Sequence, residues 1–149
     1  MNSPVAAAPK SAVERAVEIA KAKGAKRAMM LQVSAPFHCA LMKPAADAMA
    51  EALAKTNVKA PVVPVVANVL AAPISDPQEI VKRLVEQVTG TVRWRECMSY
   101  MAAQGVTTFY ELGAGKVLSG LVKRIADTAT GVSVGTPADV ETFKTARQG

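Results

Sequence analysis

Between residues 106 and 134 the chain reads VTTFYEL, then GAGK, then a helical stretch from Val117 to Thr128, then GVSV, and this order constrains the fold more than any other feature. An alternating, β-branched and aromatic run predicts a strand, and glycines break it. Apolar residues at helical spacing predict the helix that follows, and a second β-branched run predicts a strand after it. Two strands joined through a helix are parallel, because the crossover returns the chain to the same end of the sheet before the second strand begins. The same alternation runs through the rest of the chain. A helix is predicted over Lys10 to Lys23, with Val13, Ala16, Val17 and Ala20 on one face and Gly24 as its stop. A strand over Met29 to Val33 is ended by Pro36. Leu41 to Lys55 predicts a helix, and Val62 to Val69 a short strand interrupted by Pro64. Asp76 and Pro77 open a third helix as N-cap and first-turn proline. Trp94 to Gln104 is helical up to Gly105, and Thr136, Pro137 and Asp139 open the last helix in the manner of a capping box. The fold class is therefore α/β, a mostly parallel sheet with helices on both faces and its sites at the carboxyl ends of strands.

At 149 residues and 50% hydrophobic content the chain is long and apolar enough for one domain with a sizeable core. No apolar stretch spans a bilayer, and MNSPVAAAPK lacks the apolar centre of a signal peptide, so a cytoplasmic protein away from membranes is expected. Cys39 and Cys97 have neither metal-site spacing nor the density of a disulfide scaffold and read as free buried thiols; no metal is expected. The net charge of +6 favours acidic partners. Nucleic acid is disfavoured as that partner. The three Phe, two Tyr and one Trp do not alternate with basic residues as a stacking platform would, and an acidic protein or an anionic cofactor fits the same charge.

The single histidine, His38, lies in VSAPFHCALM, just past a strand end and a proline. A lone histidine is often structural, but at the mouth of a sheet its ring is placed to serve as a general base. Cys39 beside it is an unsuitable nucleophile, because neighbouring side chains in an extended segment face opposite ways. Gly131 to Gly135 spell GVSVG and match the pattern of a nucleophile elbow, yet an elbow serine sits on the sharp turn itself, whereas Ser133 lies between two valines before the turn. GAGK at Gly113 to Lys116 is open to two readings, a phosphate-cradling loop or a close strand-to-helix turn. Met29, Met30, Met42, Met49, Met98 and Met101 fall on apolar faces and read as core filling.

Taken together, GAKRA, VSAPFHCALMKPAAD, PVVPVVANV, YMAAQGV and ELGAGKVLSGLVKRI resemble, in order, the C-terminal half of a bacterial malonyl-CoA:acyl carrier protein transacylase. The resemblance implies an acyltransferase fold of the α/β-hydrolase kind. Residues 1–28 would be a remnant of its small subdomain with a connecting helix, and 29–149 the C-terminal part of the acyltransferase domain. It also implies a mechanism. Malonyl-CoA acylates an elbow serine in GHSLG, and the phosphopantetheine thiol of acyl carrier protein removes the acyl group, with a histidine as base and acid. His38 matches that histidine. Alignment through VEQVTGTVRW puts the carbonyl that steadies it at Gln87, and Phe37 matches the bulky residue that crowds an α-methyl branch. No permanently bound cofactor is implied; malonyl-CoA is the substrate. Acyl carrier protein and the N-terminal half of the enzyme are the implied partners, and Lys21, Lys23, Lys26 and Arg27 form a basic rim suited to an acidic carrier. GHSLG, the oxyanion glutamine and the malonyl-binding arginine have no counterpart here, so the chain is expected to be inactive alone. The rival reading is a non-catalytic module that docks acyl carrier protein or a partner polypeptide.

Overall fold

The computed structural model describes residues 7–146, which form two compact units divided between Val92 and Arg93. The first unit opens with α1 (Lys10–Ala22), whose end follows from its sequence. Gly24 takes φ +86°, and Gly24 N–H donates to the Lys21 carbonyl while Ala25 N–H donates to that of Ala20. This left-handed glycine cap closes the helix where the sequence predicts it. A short 3-10 turn at Ala40–Met42 leads into α2 (Lys43–Ala54), so the helix predicted from Leu41 begins slightly later, with Pro44 in its first turn. α2 packs against α3 (Pro77–Thr89), burying Ala46 and Ile80. Asp76 Oδ1 accepts the Glu79 N–H at 2.8 Å and caps α3 as expected.

The strands of this unit differ from the sequence reading. Met29–Val33 forms no strand among the described residues, and the strand predicted over Val62–Val69 shrinks to β1 (Val65–Ala67). β1 pairs antiparallel with β2 (Ala72–Ile74), through a turn in which Ala71 has φ +54°. A strand is defined by a partner, and apolar alternation alone does not supply one.

The second unit is a βαβ crossover flanked by helices: α4 (Trp94–Ala103), β3 (Thr108–Leu112), α5 (Val117–Ile125), β4 (Thr130–Val134) and α6 (Pro137–Ala146). β3 and β4 are parallel and in register from Thr108 opposite Thr130 to Leu112 opposite Val134. Phe109 packs into a core of Met98, Val122, Ala126 and Ala129 beneath α4 and α5. Tyr110, pointing the other way, meets Phe143 of α6 edge to face, with ring centroids 4.9 Å apart. Helices thus cover both faces of the parallel pair. α5 lies so close to β4 that a β-carbon on Gly131 would fall 2.3 Å from the Ser119 carbonyl oxygen, so glycine is required there. The α/β class and the parallel crossover agree with the sequence reading, although α5 ends at Ile125 rather than Thr128.

Of the methionines read as core filling, Met98 is fully buried, whereas Met29, Met30 and Met49 are exposed. Cys97 is buried and Cys39 only half-buried, which corrects the reading of both thiols as buried. No helix among the described residues is long and apolar enough to cross a membrane.

Candidate active site

The feature with chemical content lies in the first unit, where two segments far apart in sequence meet. After bends at Ser34 and Ala35, the turn that follows Pro36 carries His38 at φ +59°, a left-handed conformation that a β-carbon disfavours. The imidazole Nδ1 lies 2.9 Å from the main-chain oxygen of Gln87. A carbonyl can only accept, so the hydrogen bond requires the proton on Nδ1 and leaves Nε2 with its lone pair free.

The end of α3 explains why that carbonyl is available. The last four carbonyls of a helix lack intrahelical partners. Gly90 N–H donates to the Glu86 carbonyl at 2.9 Å and the backbone then turns extended, leaving the Gln87 oxygen to the ring. Gln87 reinforces this end with its side chain, whose Nε2 donates to the Gly90 carbonyl at 3.2 Å. Positive charge gained by the ring during proton transfer would face the partially negative end of α3. His38 is exposed, so a substrate can reach Nε2. Phe37, next to it, is 47% exposed.

The other candidates fall elsewhere. Cys39 does not pair with the imidazole; its thiol donates to the Pro36 carbonyl at 3.1 Å. Ser133 lies inside β4, in register with Glu111 and before the turn at Gly135, which is not the geometry of an elbow. GAGK is the β3–α5 turn, with Gly113 at φ +126° and Gly115 at φ +107°. An anion does not find the α5 N-terminus vacant. Glu111 already occupies it, accepting the Leu118 N–H at 3.2 Å and the Ser119 N–H at 2.8 Å. The Ser119 backbone hydrogen bond holds this carboxyl below its usual range. Asp139 is held low in the same way, first by the Gly135 N–H at the start of α6. Burial pushes the Cys97 thiol up, so it is a poor nucleophile. An open cavity of about 310 Å³ beside Trp94, Phe109 and Val122 is lined by a single carboxylate, Glu111, which is committed to α5.

Lys21, Lys23, Lys26 and Arg27 are all exposed, at the end of α1 and in the turn after it, and none forms an ion pair among the described residues. Sequence reasoning missed two features of the site's surroundings. The thiol bond within the turn leaves no pattern in the sequence. The Glu111 cap spans seven and eight residues, outside the three-residue spacing of a capping box.

An imidazole with Nδ1 committed to a carbonyl and Nε2 free has the arrangement that a general base of acyl transfer or hydrolysis requires. Comparison with known proteins narrows the class. The chain is 52% identical over 140 residues to the malonyl CoA-acyl carrier protein transacylase of Salmonella typhimurium, covering 92% of this chain and 45% of that protein. It is 46% identical over 129 residues to the Bacillus subtilis protein of the same name, covering 87% of this chain and 41% of the relative. Among solved structures, the acyl-carrier-protein-S-malonyltransferase of Bartonella henselae superposes with a TM-score of 0.82 at 54% identity, over 91% of this chain and 43% of that one. A malonyl-transacylase solved in complex with its type II PKS acyl-carrier protein superposes with a TM-score of 0.80 at 45% identity, over 89% of this chain and 43% of that one. No protein-family model matches the chain. Over about nine-tenths of its length the chain is homologous to proteins named malonyl CoA-acyl carrier protein transacylase, and it spans less than half the length of the curated relatives it matches.

Proposed function

We propose that this chain is the base-bearing portion of an acyltransferase that moves a malonyl group from coenzyme A to the phosphopantetheine thiol of acyl carrier protein in fatty acid synthesis. His38 is the general base and acid, and the Gln87 main-chain carbonyl fixes its tautomer. The nucleophile is an elbow serine supplied by the complementary portion of the enzyme. In the first half-reaction Nε2 takes the serine proton as the oxygen attacks the thioester carbonyl, and returns it to the departing coenzyme A sulfur. In the second the carrier thiol loses its proton to Nε2, attacks the acyl-serine, and the proton goes back to the serine oxygen. The observation that carries this reading is the 2.9 Å contact between His38 Nδ1 and the Gln87 oxygen, because it leaves Nε2 as the proton acceptor.

Phe37, exposed beside the base, limits the site to acyl groups without an α-methyl branch. Lys21, Lys23, Lys26 and Arg27 steer the acidic carrier toward it. No permanently bound cofactor takes part, and malonyl-CoA is the substrate. Residues 1–28 belong with the small subdomain and 29–149 with the acyltransferase domain; the MNSP segment at the start lies outside the described residues. The apolar residues Met29, Leu31 and Val33, each more than half exposed, are covered by the complementary portion. By itself the chain transfers no malonyl group, since a base without a nucleophile gives no covalent intermediate. Mixing it with the N-terminal portion of a relative, then measuring malonyl transfer to acyl carrier protein in both half-reactions, tests the proposal. Turnover that appears only in the mixture supports it. Stable carrier-protein binding with no turnover in the mixture would instead favour a non-catalytic docking module.

A further inference from the structure

The turn that presents His38 holds its central residue in a conformation that glycine ordinarily supplies. A residue with φ near +60° and a β-carbon is disfavoured sterically and persists only where its surroundings over-determine it. Two side-chain hydrogen bonds do so here. One is made by the ring itself, to the Gln87 carbonyl across a separation of 49 residues. The other lies within the turn and does not involve the ring: the half-buried thiol of Cys39 reaches back over Phe37 and His38 to the Pro36 carbonyl at 3.1 Å. Immediately after Cys39 the chain enters the 3-10 turn Ala40–Met42, with Met42 N–H donating to the Cys39 carbonyl at 3.0 Å. Cys39 therefore ties the strained residue to a regular element packed against α3, the helix whose end carries the Gln87 carbonyl.

We propose that the Cys39 thiol is a positioning group for His38, closing the Pro36–Cys39 turn so that the ring keeps its left-handed seat and its Nδ1 proton on the Gln87 carbonyl. The inference rests on the reading of His38 as base and names the role of the cysteine next to it, which is not that of a nucleophile. If the thiol bond is removed, the turn can relax toward φ below zero. The ring then leaves the carbonyl, and the tautomer becomes that of a free imidazole. A hydroxyl in place of the thiol donates to the same carbonyl and should keep the turn closed.

His38 is the only histidine, so long-range proton–nitrogen spectra of the ¹⁵N-labelled chain, recorded where the ring is neutral, contain one imidazole to read. The expected result is a predominant Nδ1–H tautomer in the unaltered chain. Cys39→Ala should lower the ratio of Nδ1–H to Nε2–H by about two- to fivefold, the scale of one weak neutral hydrogen bond, and Cys39→Ser should restore it to within about twofold. An unchanged ratio in Cys39→Ala would overturn the positioning role and leave the base reading intact. An equal fall in the alanine and serine variants would also overturn it, by assigning the effect to packing rather than to donation. An unaltered chain already in the Nε2–H tautomer would contradict the Gln87 contact, and with it the reading on which this inference rests.

Discussion

The two units divide stability and chemistry unequally. The second unit holds Cys97, Met98, Val122, Ala126, Ala129 and Val134 among the buried apolar residues, whereas the first holds Ala46 and Ile80. The first unit carries the strained turn and the long-range hydrogen bond of His38; the second carries a parallel crossover, with the starts of α5 and α6 closed by its own carboxylates. A βαβ crossover is self-sufficient because its helices bury the sheet they connect. A site turn instead depends on a carbonyl supplied by a distant helix end. Changes in the second unit should therefore appear as lost stability, and changes in the first as lost transfer.

The largest contrast is expected from His38→Ala. In the mixture with the complementary portion it should lower transfer by about a hundred- to ten-thousand-fold in both half-reactions, the usual range for a general base. A change under about threefold would remove His38 from the mechanism. Gln87→Ala keeps the main-chain oxygen and loses one neutral side-chain hydrogen bond, so its effect should stay within about tenfold. In the second unit, Met98→Ala should destabilise by about 2–5 kcal/mol, read by urea unfolding of Trp94 fluorescence. A loss of transfer without any loss of stability in that variant would break the division of roles.

Smaller effects are electrostatic. Lys26→Glu combined with Arg27→Glu should slow carrier-protein association by about tenfold at low salt and weaken its salt dependence, because exposed rim charges act on encounter. Unchanged association would remove the docking role and leave the acyltransferase reading standing. For Glu111 and Asp139 the folded state lowers the carboxyl pKa below the ordinary values of 4.5 and 3.8. Each group therefore contributes stability that is present above its ordinary value and is lost as pH falls through the lowered one. Glu111→Gln should flatten that acid limb in pH-dependent unfolding, and an unchanged limb would argue against the cap.

The sequence was most legible where the signals are local and chemical. Gly24 stops α1, Asp76 and Pro77 start α3, and the glycines of GAGK turn β3 into α5, because each acts on backbone within a few residues. It was least legible where pairing decides. Met29–Val33 reads as a strand by composition but has no strand partner among the described residues, while β2 was hidden by Pro73, which the two-stranded hairpin tolerates opposite Val66. His38 was recognisable as a candidate from its proline and its place after an extended run. Its partner at Gln87 came only through family resemblance, since no local rule joins a turn to a helix end 49 residues away. The left-handed backbone of His38 gave no sign at all, because the residue types that ordinarily announce such a position, glycine and asparagine, are absent from the turn.

In the proposed reaction this chain supplies the base and not the nucleophile. Incubation of the chain alone with radiolabelled malonyl-CoA, followed by denaturation and mass analysis, tests it most directly. The expected result is no covalent malonyl group on the chain, with label reaching acyl carrier protein only after the complementary portion is added. A stoichiometric malonyl adduct on Ser133 of the chain alone, lost in Ser133→Ala, would contradict it.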